Sequence, residues 1–227
     1  MPTVLVTGAN RGIGFELAKQ YAGAGWRVHA ACREPGLADA LKGLGGDMTL
    51  HRLDVALPNQ VQDLAKALNG EPIDLLVNNA GISANAKTSL GDMDYGLWEH
   101  MLRVNVMGPL RVAEALVANV AASQRRVMLF LSSRAGSIAD NLSGGRYLYR
   151  SSKAALNMVV KSLAIDLIPK RVICTAVHPG WARTDMGTAA APIAVADSVA
   201  ALRVLVDRLE PHHNGRFLNY DGQELRW

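Results

Sequence analysis

Thr3-Val4-Leu5-Val6-Thr7-Gly8-Ala9-Asn10-Arg11-Gly12-Ile13-Gly14 is the stretch that decides the fold of this 227-residue chain. Its first residues form a short aliphatic and β-branched run, suited to a strand covered on both faces. Ile13, Leu17, Ala18 and Tyr21 then recur at helical spacing. A strand that turns sharply into a helix needs backbone angles that a β-carbon disfavours, and a helix packed tightly on its strand leaves no room for one. The first-turn N–H groups of such a helix have no intrahelical partner, and with the helix dipole they make an anion site. Gly8, Asn10, Arg11, Gly12, Ile13 and Gly14 are therefore candidates for holding a dinucleotide pyrophosphate. The glycines read G-x-x-x-G-x-G rather than the commoner G-x-G-x-x-G, and alone they would also suit a plain strand-to-helix turn.

Further aliphatic runs extend from Arg27 to Arg33, Met48 to Val55, Asp74 to Asn78, Val127 to Ser133, Val172 to Val177 and Arg216 to Tyr220. Helical patterns separate most of them, for example Leu64, Ala65 and Leu68, or Leu202, Leu205, Val206 and Leu209. This alternation predicts an α/β fold, a single doubly wound parallel sheet of about seven strands with helices on both faces, joined by right-handed crossovers. Ligands bind such sheets at the carboxyl ends of the strands. Gly8, Arg33, Asp54, Asn78, Ser133 and Pro179 each end or follow a run, so the candidates fall on one rim.

Composition narrows the class. A chain of this length fits one domain spanning residues 1–227, and 49% hydrophobic with 19% charged residues suits an ordered, compact protein. No apolar run approaches the ~18 residues that span a bilayer, and Met1-Pro2 leads straight into the first strand, so a cytoplasmic location without membrane attachment is expected. Cys32 and Cys174 lie in separate predicted strands without metal-ligand spacing, which indicates neither a disulfide framework nor a metal site. The net charge of +4 is spread along the chain with no accompanying nucleic-acid motif, so no nucleic-acid partner is expected.

Two longer helices are predicted, from about Leu97 to Ala121, bent or interrupted at Gly108-Pro109, and from Tyr149 to Ile168. Tyr149 and Lys153 are four apart at the start of the second, so phenol and ammonium project from one face. An ammonium near a phenol favours the phenolate and lowers its pKa, which suits Tyr149 to acid–base work.

Tyr149-Arg150-Ser151-Ser152-Lys153, Leu131-Ser132-Ser133-Arg134-Ala135-Gly136 and Asn78-Asn79-Ala80-Gly81 together resemble the short-chain dehydrogenase/reductase family, over nearly the whole chain. Gly136 to Asn141, Ser143-Gly144-Gly145, His178-Pro179-Gly180-Trp181 and Tyr220-Asp221-Gly222 look most like its C-factor and sniffer-type carbonyl reductases. The resemblance implies an NAD(P)-dependent oxidoreductase that interconverts a small-molecule carbonyl and an alcohol. It assigns Tyr149 as proton donor or acceptor and Ser133 as the residue bonding the substrate oxygen, with Ser137 the competing choice. It gives Lys153 the nicotinamide ribose as well as the phenol, and Asn105 a water relay to the lysine, against the alternative of a local kink device. Asp54 and Val55 fall at the adenine, Asn79, Ala80 and Gly81 along the cofactor, and Pro179, Gly180 and Thr184 at the nicotinamide carboxamide. Asn78 reads as much as a tie between strands as a binding residue, and His178 as a packed structural histidine.

NADP is expected over NAD. The second run ends Ala31-Cys32-Arg33, the turn adds Arg11, and the carboxylate that binds the NAD ribose diol is missing at that strand end. Val112 to Ala122 is rich in Ala and Val, which points to a homodimer or homotetramer. The rival from another class is a non-catalytic nucleotide-binding signalling or sensor protein of the C-factor type. A sugar-nucleotide epimerase is disfavoured by the glycine spacing and by the lack of a larger C-terminal substrate domain. Trp181 and Met186 are candidates for an apolar substrate wall.

Overall fold

The computed structural model describes residues 1–83 and 90–227. All seven predicted runs form strands: β1 (Thr3–Thr7), β2 (Arg27–Cys32), β3 (Met48–Arg52), β4 (Leu75–Asn78), β5 (Val127–Leu131), β6 (Ile173–His178) and β7 (Phe217–Asn219). They pair in parallel in the order β3-β2-β1-β4-β5-β6-β7. The chain winds outward from β1 to β3, then returns to place β4 on the other side of β1. That reversal opens a crevice at the carboxyl ends of β1 and β4.

The helices are α1 (Gly12–Gly23), α2 (Asp39–Lys42), α3 (Pro58–Ala67), α4 (Tyr95–Leu102), α5 (Gly108–Ala121), α6 (Tyr147–Asp166) and α7 (Val195–Asp207). Alternate strand residues feed two cores. Val4, Val6 and Val77 pack with Leu17 and Tyr21 of α1 and Leu202 and Val206 of α7. Leu5, Leu76, Met128 and Phe130 pack with Leu64 of α3, Leu116 of α5 and Leu156 and Val160 of α6. Both faces of the sheet are thus covered, which is why its strands read as continuous apolar runs.

Two local features depart from expectation. The long helix from Leu97 is divided by a π-helical turn, Arg103–Met107, one turn before the expected break; Gly108 and Pro109 instead open α5. Proline suits a helix start, where its missing N–H costs nothing. The strand-tying amide is Asn79 and not Asn78: Asn79 Nδ2 donates to the carbonyls of Thr7 (2.8 Å) and Gly8 (3.0 Å), whereas the buried Asn78 amide has no hydrogen-bond partner. Within α5, Val112, Ala113, Leu116 and Val120 are buried in the chain's own core, while Leu110, Ala115, Val117 and Ala121 are half-buried and Ala118 is exposed.

Gly14 lies where α1 meets the crevice. A β-carbon there would sit 2.3 Å from the Gly8 carbonyl oxygen and 2.4 Å from Asn79 Nδ2. Gly23, at the other end of the same helix, has nothing within 4 Å of that position. The same substitution should therefore act with opposite sign. Gly14→Ala is expected to destabilise by about 1 to 3 kcal/mol through overpacking, and Gly23→Ala to stabilise by up to about 1 kcal/mol through helix propensity. Urea unfolding of both variants checks this, and equal shifts would refute it.

Candidate active site

A cleft runs along the carboxyl edge of the sheet and gathers most of the predicted residues. At one end lie Gly8, Asn10, Arg11, Gly12 and Ile13 of the first turn, then Arg33 after β2 and Asp54 and Val55 after β3. Asn79, Ala80 and Gly81 line its middle, and Tyr149, Lys153, Pro179 and Thr184 its far end. Gly14, Gly180, Asn105 and Ser133 are not among its lining residues. Gly14 sits behind the turn, and Gly180, at φ +78°, packs against Ile193 and the Tyr220 ring.

The nucleotide end has the chemistry of an anion site. α1 begins with Arg11 at its N-cap and no side-chain cap, so its first N–H groups are not taken by a neighbouring side chain. Gly8 approaches Ala80 so closely that a β-carbon would be 2.9 Å from the Ala80 Cα. Arg33 is exposed at the cleft and makes no ion pair among the described residues. Arg11 instead pairs with Asp185 at 3.1 Å, and Thr184 Cγ2 comes within 3.4 Å of where a Gly12 β-carbon would be. The segment after β6 thus reaches over the glycine turn. Asp54 Oδ1 accepts from its neighbour Ala56 N at 2.9 Å, which fixes the carboxylate at the cleft wall.

At the other end, α6 opens just before Tyr149, which places the phenol and Lys153 on one face. Lys153 is buried, with Nζ donating to the Leu131 carbonyl at 2.8 Å and standing 5.9 Å from the centre of the Tyr149 ring. Burial lowers its pKa to about 8. Burial also raises the Tyr149 pKa, while the Ser133 hydroxyl and the Arg146 guanidinium pull it down. The expected depression of the phenol by Lys153 is therefore not what dominates: the enclosed environment disfavours both charges, and the ammonium is turned to a carbonyl.

β5 ends at Leu131, two residues earlier than the predicted run, so Ser133 caps the short 3-10 turn Arg134–Gly136 with its Oγ accepting from Ala135 N at 3.1 Å. Ser132 points inward and donates to Asn157 Oδ1 at 2.5 Å. Ser137 is buried with its oxygen accepting from Asp140 N at 3.1 Å, which commits it to the loop. Of the two competing serines, Ser133 is the one whose hydroxyl bears on Tyr149.

Asn105 is fully buried in the π-helical turn. Its Oδ1 accepts from Ile82 N at 2.8 Å, and its Nδ2 donates to the Ile82 carbonyl (2.9 Å) and to Ser152 Oγ (3.1 Å). Its amide therefore clamps the end of the Asn79-Ala80-Gly81 segment to the helix that carries Tyr149 and Lys153. His178 is held low, to about 4, by burial and by Arg134, so it is neutral at pH 7 and agrees with a packed role. Among the described residues no His, Cys, Asp and Glu side chains gather as metal ligands would, and no helix is long and apolar enough to cross a membrane.

Sequence reasoning missed Cys32, Leu53, Ile82, His100, Val104, Leu131, Ser132 and Asp185 on the cleft wall. His100 and Val104 are four apart at the α4 end, a spacing that would have paired them had the helix been placed at the rim. The others are strand-end and loop residues without a chemical signature.

The short chain dehydrogenase model matches residues 2–192, and the chain belongs to that family of oxidoreductases. C-signal of Myxococcus xanthus is 43% identical over 156 residues, 69% of this chain and 93% of that protein. Carbonyl reductase Sniffer of D. melanogaster superposes with a TM-score of 0.93 at 32% identity, covering 100% of each chain. The NADPH-bound carbonyl reductase from chicken fatty liver gives 0.90 at 30% identity, over 100% of this chain and 99% of that one.

The buried ammonium gives a test of the site's electrostatics. A lysine whose pKa is lowered on folding penalises the native state while it is protonated, and stability is recovered as pH rises from the folded value of about 8 toward the ordinary value of 10.5. Lys153→Met should therefore raise the stability at pH 7 by roughly 3 kcal/mol at most, less whatever the Leu131 hydrogen bond contributes. The gain should shrink between pH 8 and 10.5. Urea midpoints across that range decide the matter; a pH-independent difference would contradict it.

Proposed function

We propose that this protein is an NADPH-dependent carbonyl reductase, with Tyr149 supplying the proton and Ser133 holding the substrate oxygen. The observation that carries the reading is the enclosed Tyr149 phenol, with the Ser133 hydroxyl bearing on it and Lys153 on the same helix face, at the end of a cleft that begins at an uncapped helix N-terminus. A nicotinamide cofactor bound along that cleft would supply the hydride. α1 and the Gly8 turn suit its pyrophosphate, Asp54 and Val55 its adenine, Arg33 its 2′-phosphate, and Pro179, Thr184 and Lys153 its nicotinamide end.

The chain's own groups then divide the work. Burial keeps the phenol protonated at neutral pH, the form a proton donor needs when a carbonyl becomes an alcohol. The Ser133 hydroxyl donates to the carbonyl oxygen and stabilises the charge that develops there. Lys153, with a pKa near 8, can pass a proton toward Tyr149 close to neutrality. Asn105 holds Ile82 and α6 in register, and the π-helical turn leaves local carbonyls outside regular helical bonding, where a water relay to Lys153 would attach. The NADPH-bound state of the chicken relative supports the same cofactor here.

Two measurements test this. Tyr149→Phe keeps the ring and removes the acid, so turnover should fall about 10²- to 10⁴-fold while NADPH affinity stays near that of the unmodified protein. Near-normal kcat in that variant would overturn the assignment, and a complete lack of turnover by the unmodified protein on aldehydes and ketones would favour the signalling reading that the C-signal likeness raises. Arg33→Asp should weaken NADPH by roughly tenfold to a hundredfold and spare NADH, since a guanidinium–phosphate pair is worth about 1.5 to 3 kcal/mol. Equal affinity of the unmodified protein for the two cofactors would exclude the NADP preference.

A further inference from the structure

The start of α6, beside Tyr149, carries cations that the reaction above does not use. Arg146, the residue before α6, sits at φ +50° with its guanidinium carbon 5.2 Å from the centre of the Tyr149 ring. Arg150 follows one turn later, its backbone N–H bonded to the Arg146 carbonyl at 3.0 Å, so the two share one side of the helix start. Arg150 Nη2 donates to Ser143 Oγ at 2.8 Å, while its Nε is enclosed without a partner. Neither arginine has a carboxylate within ion-pair distance among the described residues.

This arrangement is unfavourable for the protein by itself. Like charges one helical turn apart repel, a helix N-terminus disfavours cations, and a left-handed backbone is costly for a residue other than glycine, asparagine or aspartate. Arg146 is compensated by the face of the Tyr149 ring rather than by a carboxylate. Ile138 and Leu142 are exposed apolar residues on the loop that leads into α6, Tyr147 is partly exposed beside them, and Met186 lines the cleft. A cation placed against the ring of the acid, with exposed apolar residues on the neighbouring loop, suits a ligand that brings its own negative charge.

We propose that the substrate is an anionic carbonyl compound, an aldehyde or ketone with an apolar body and a carboxylate, whose carbonyl meets Tyr149 and Ser133 while its carboxylate pairs with Arg146. This rests on the reductase function proposed above. The closeness of Arg146 to the Tyr149 ring requires the two groups of the substrate to be separated by little more than one aromatic ring. Arg150 acts through Ser143, holding the loop that carries Arg146.

The test compares para-carboxybenzaldehyde with its uncharged methyl ester, using NADPH and the full-length protein. The acid is expected to show at least about a tenfold higher kcat/KM, the worth of one charge-assisted pair, and the advantage should shrink as salt is raised. Arg146→Asn, a residue that tolerates the left-handed backbone, should abolish the preference, and Arg146→Lys should keep part of it. Any effect of the guanidinium on Tyr149 acts on both compounds and cancels in the acid-to-ester ratio. Equal kcat/KM for acid and ester in the unmodified protein, or a ratio unchanged in Arg146→Asn, would overturn the proposal while leaving the reductase function intact. Calorimetric binding of para-carboxybenzyl alcohol and its methyl ester to the NADP-loaded protein reads the anion site without turnover. Selective binding of the acid, lost in Arg146→Asn, would uphold the site even if no aldehyde were reduced, an outcome that would instead sink the reductase function; equal binding of the two alcohols would overturn the site.

Discussion

Gly8, Gly14 and Asn79 meet where three backbone segments converge, and the rest of the site depends on that contact. The Asn79 amide binds the carbonyls of Thr7 and Gly8, and Thr7 Oγ1 accepts in return from the N–H groups of Asn79 and Ala80. No β-carbon fits at Gly14, so α1 seats directly on the turn. The convergence fixes the mouth of the crevice between β1 and β4 and aims the first N–H groups of α1 along it. An anion site built from backbone has no side chains to adjust, so its accuracy comes from this packing.

Burial plays the corresponding part at the other end of the cleft. It pushes the phenol of Tyr149 toward its neutral form and the ammonium of Lys153 toward its own. A neutral phenol can donate a proton, and a lysine with a pKa near 8 exchanges one readily, so a single enclosed environment suits both groups to the proposed reduction. Asn105 links this end to the other, because the backbone it clamps at Ile82 continues directly from Asn79.

The cover over the glycine turn is held differently. Arg11 and Asp185 form an exposed pair, and such pairs contribute about 0 to 1 kcal/mol. With Thr184 resting against Gly12, this makes a weak strap across the glycine-turn end of the cleft. A phosphate near Arg11 would compete with Asp185 for the same guanidinium. Weak closure there and rigid packing at Asn79 are compatible, since entry of a large ligand needs one wall that yields.

Most strands were legible because they are buried on both faces and so read as unbroken apolar runs, and the positions of Gly8, Arg33 and Asp54 followed from where those runs end. Local spacing was also enough to place Tyr149 and Lys153 on one helix face. Contacts between residues distant in sequence were not legible. Asn78 and Asn79 are adjacent and chemically identical, and only the pleat of β4 decides which amide reaches β1. Ser133 and Ser137 were separated by which hydroxyl the turn after β5 brings to Tyr149. The π-helical turn at Asn105, the burial that governs Tyr149 and Lys153, and the guanidinium of Arg146 over the phenol ring depend on how α4, α5 and α6 pack. By itself the sequence determined the periodicity, and with it the sheet and the rim; the tertiary structure decided which polar groups meet there, because hydrogen bonds and desolvation act between segments that the chain brings together only on folding.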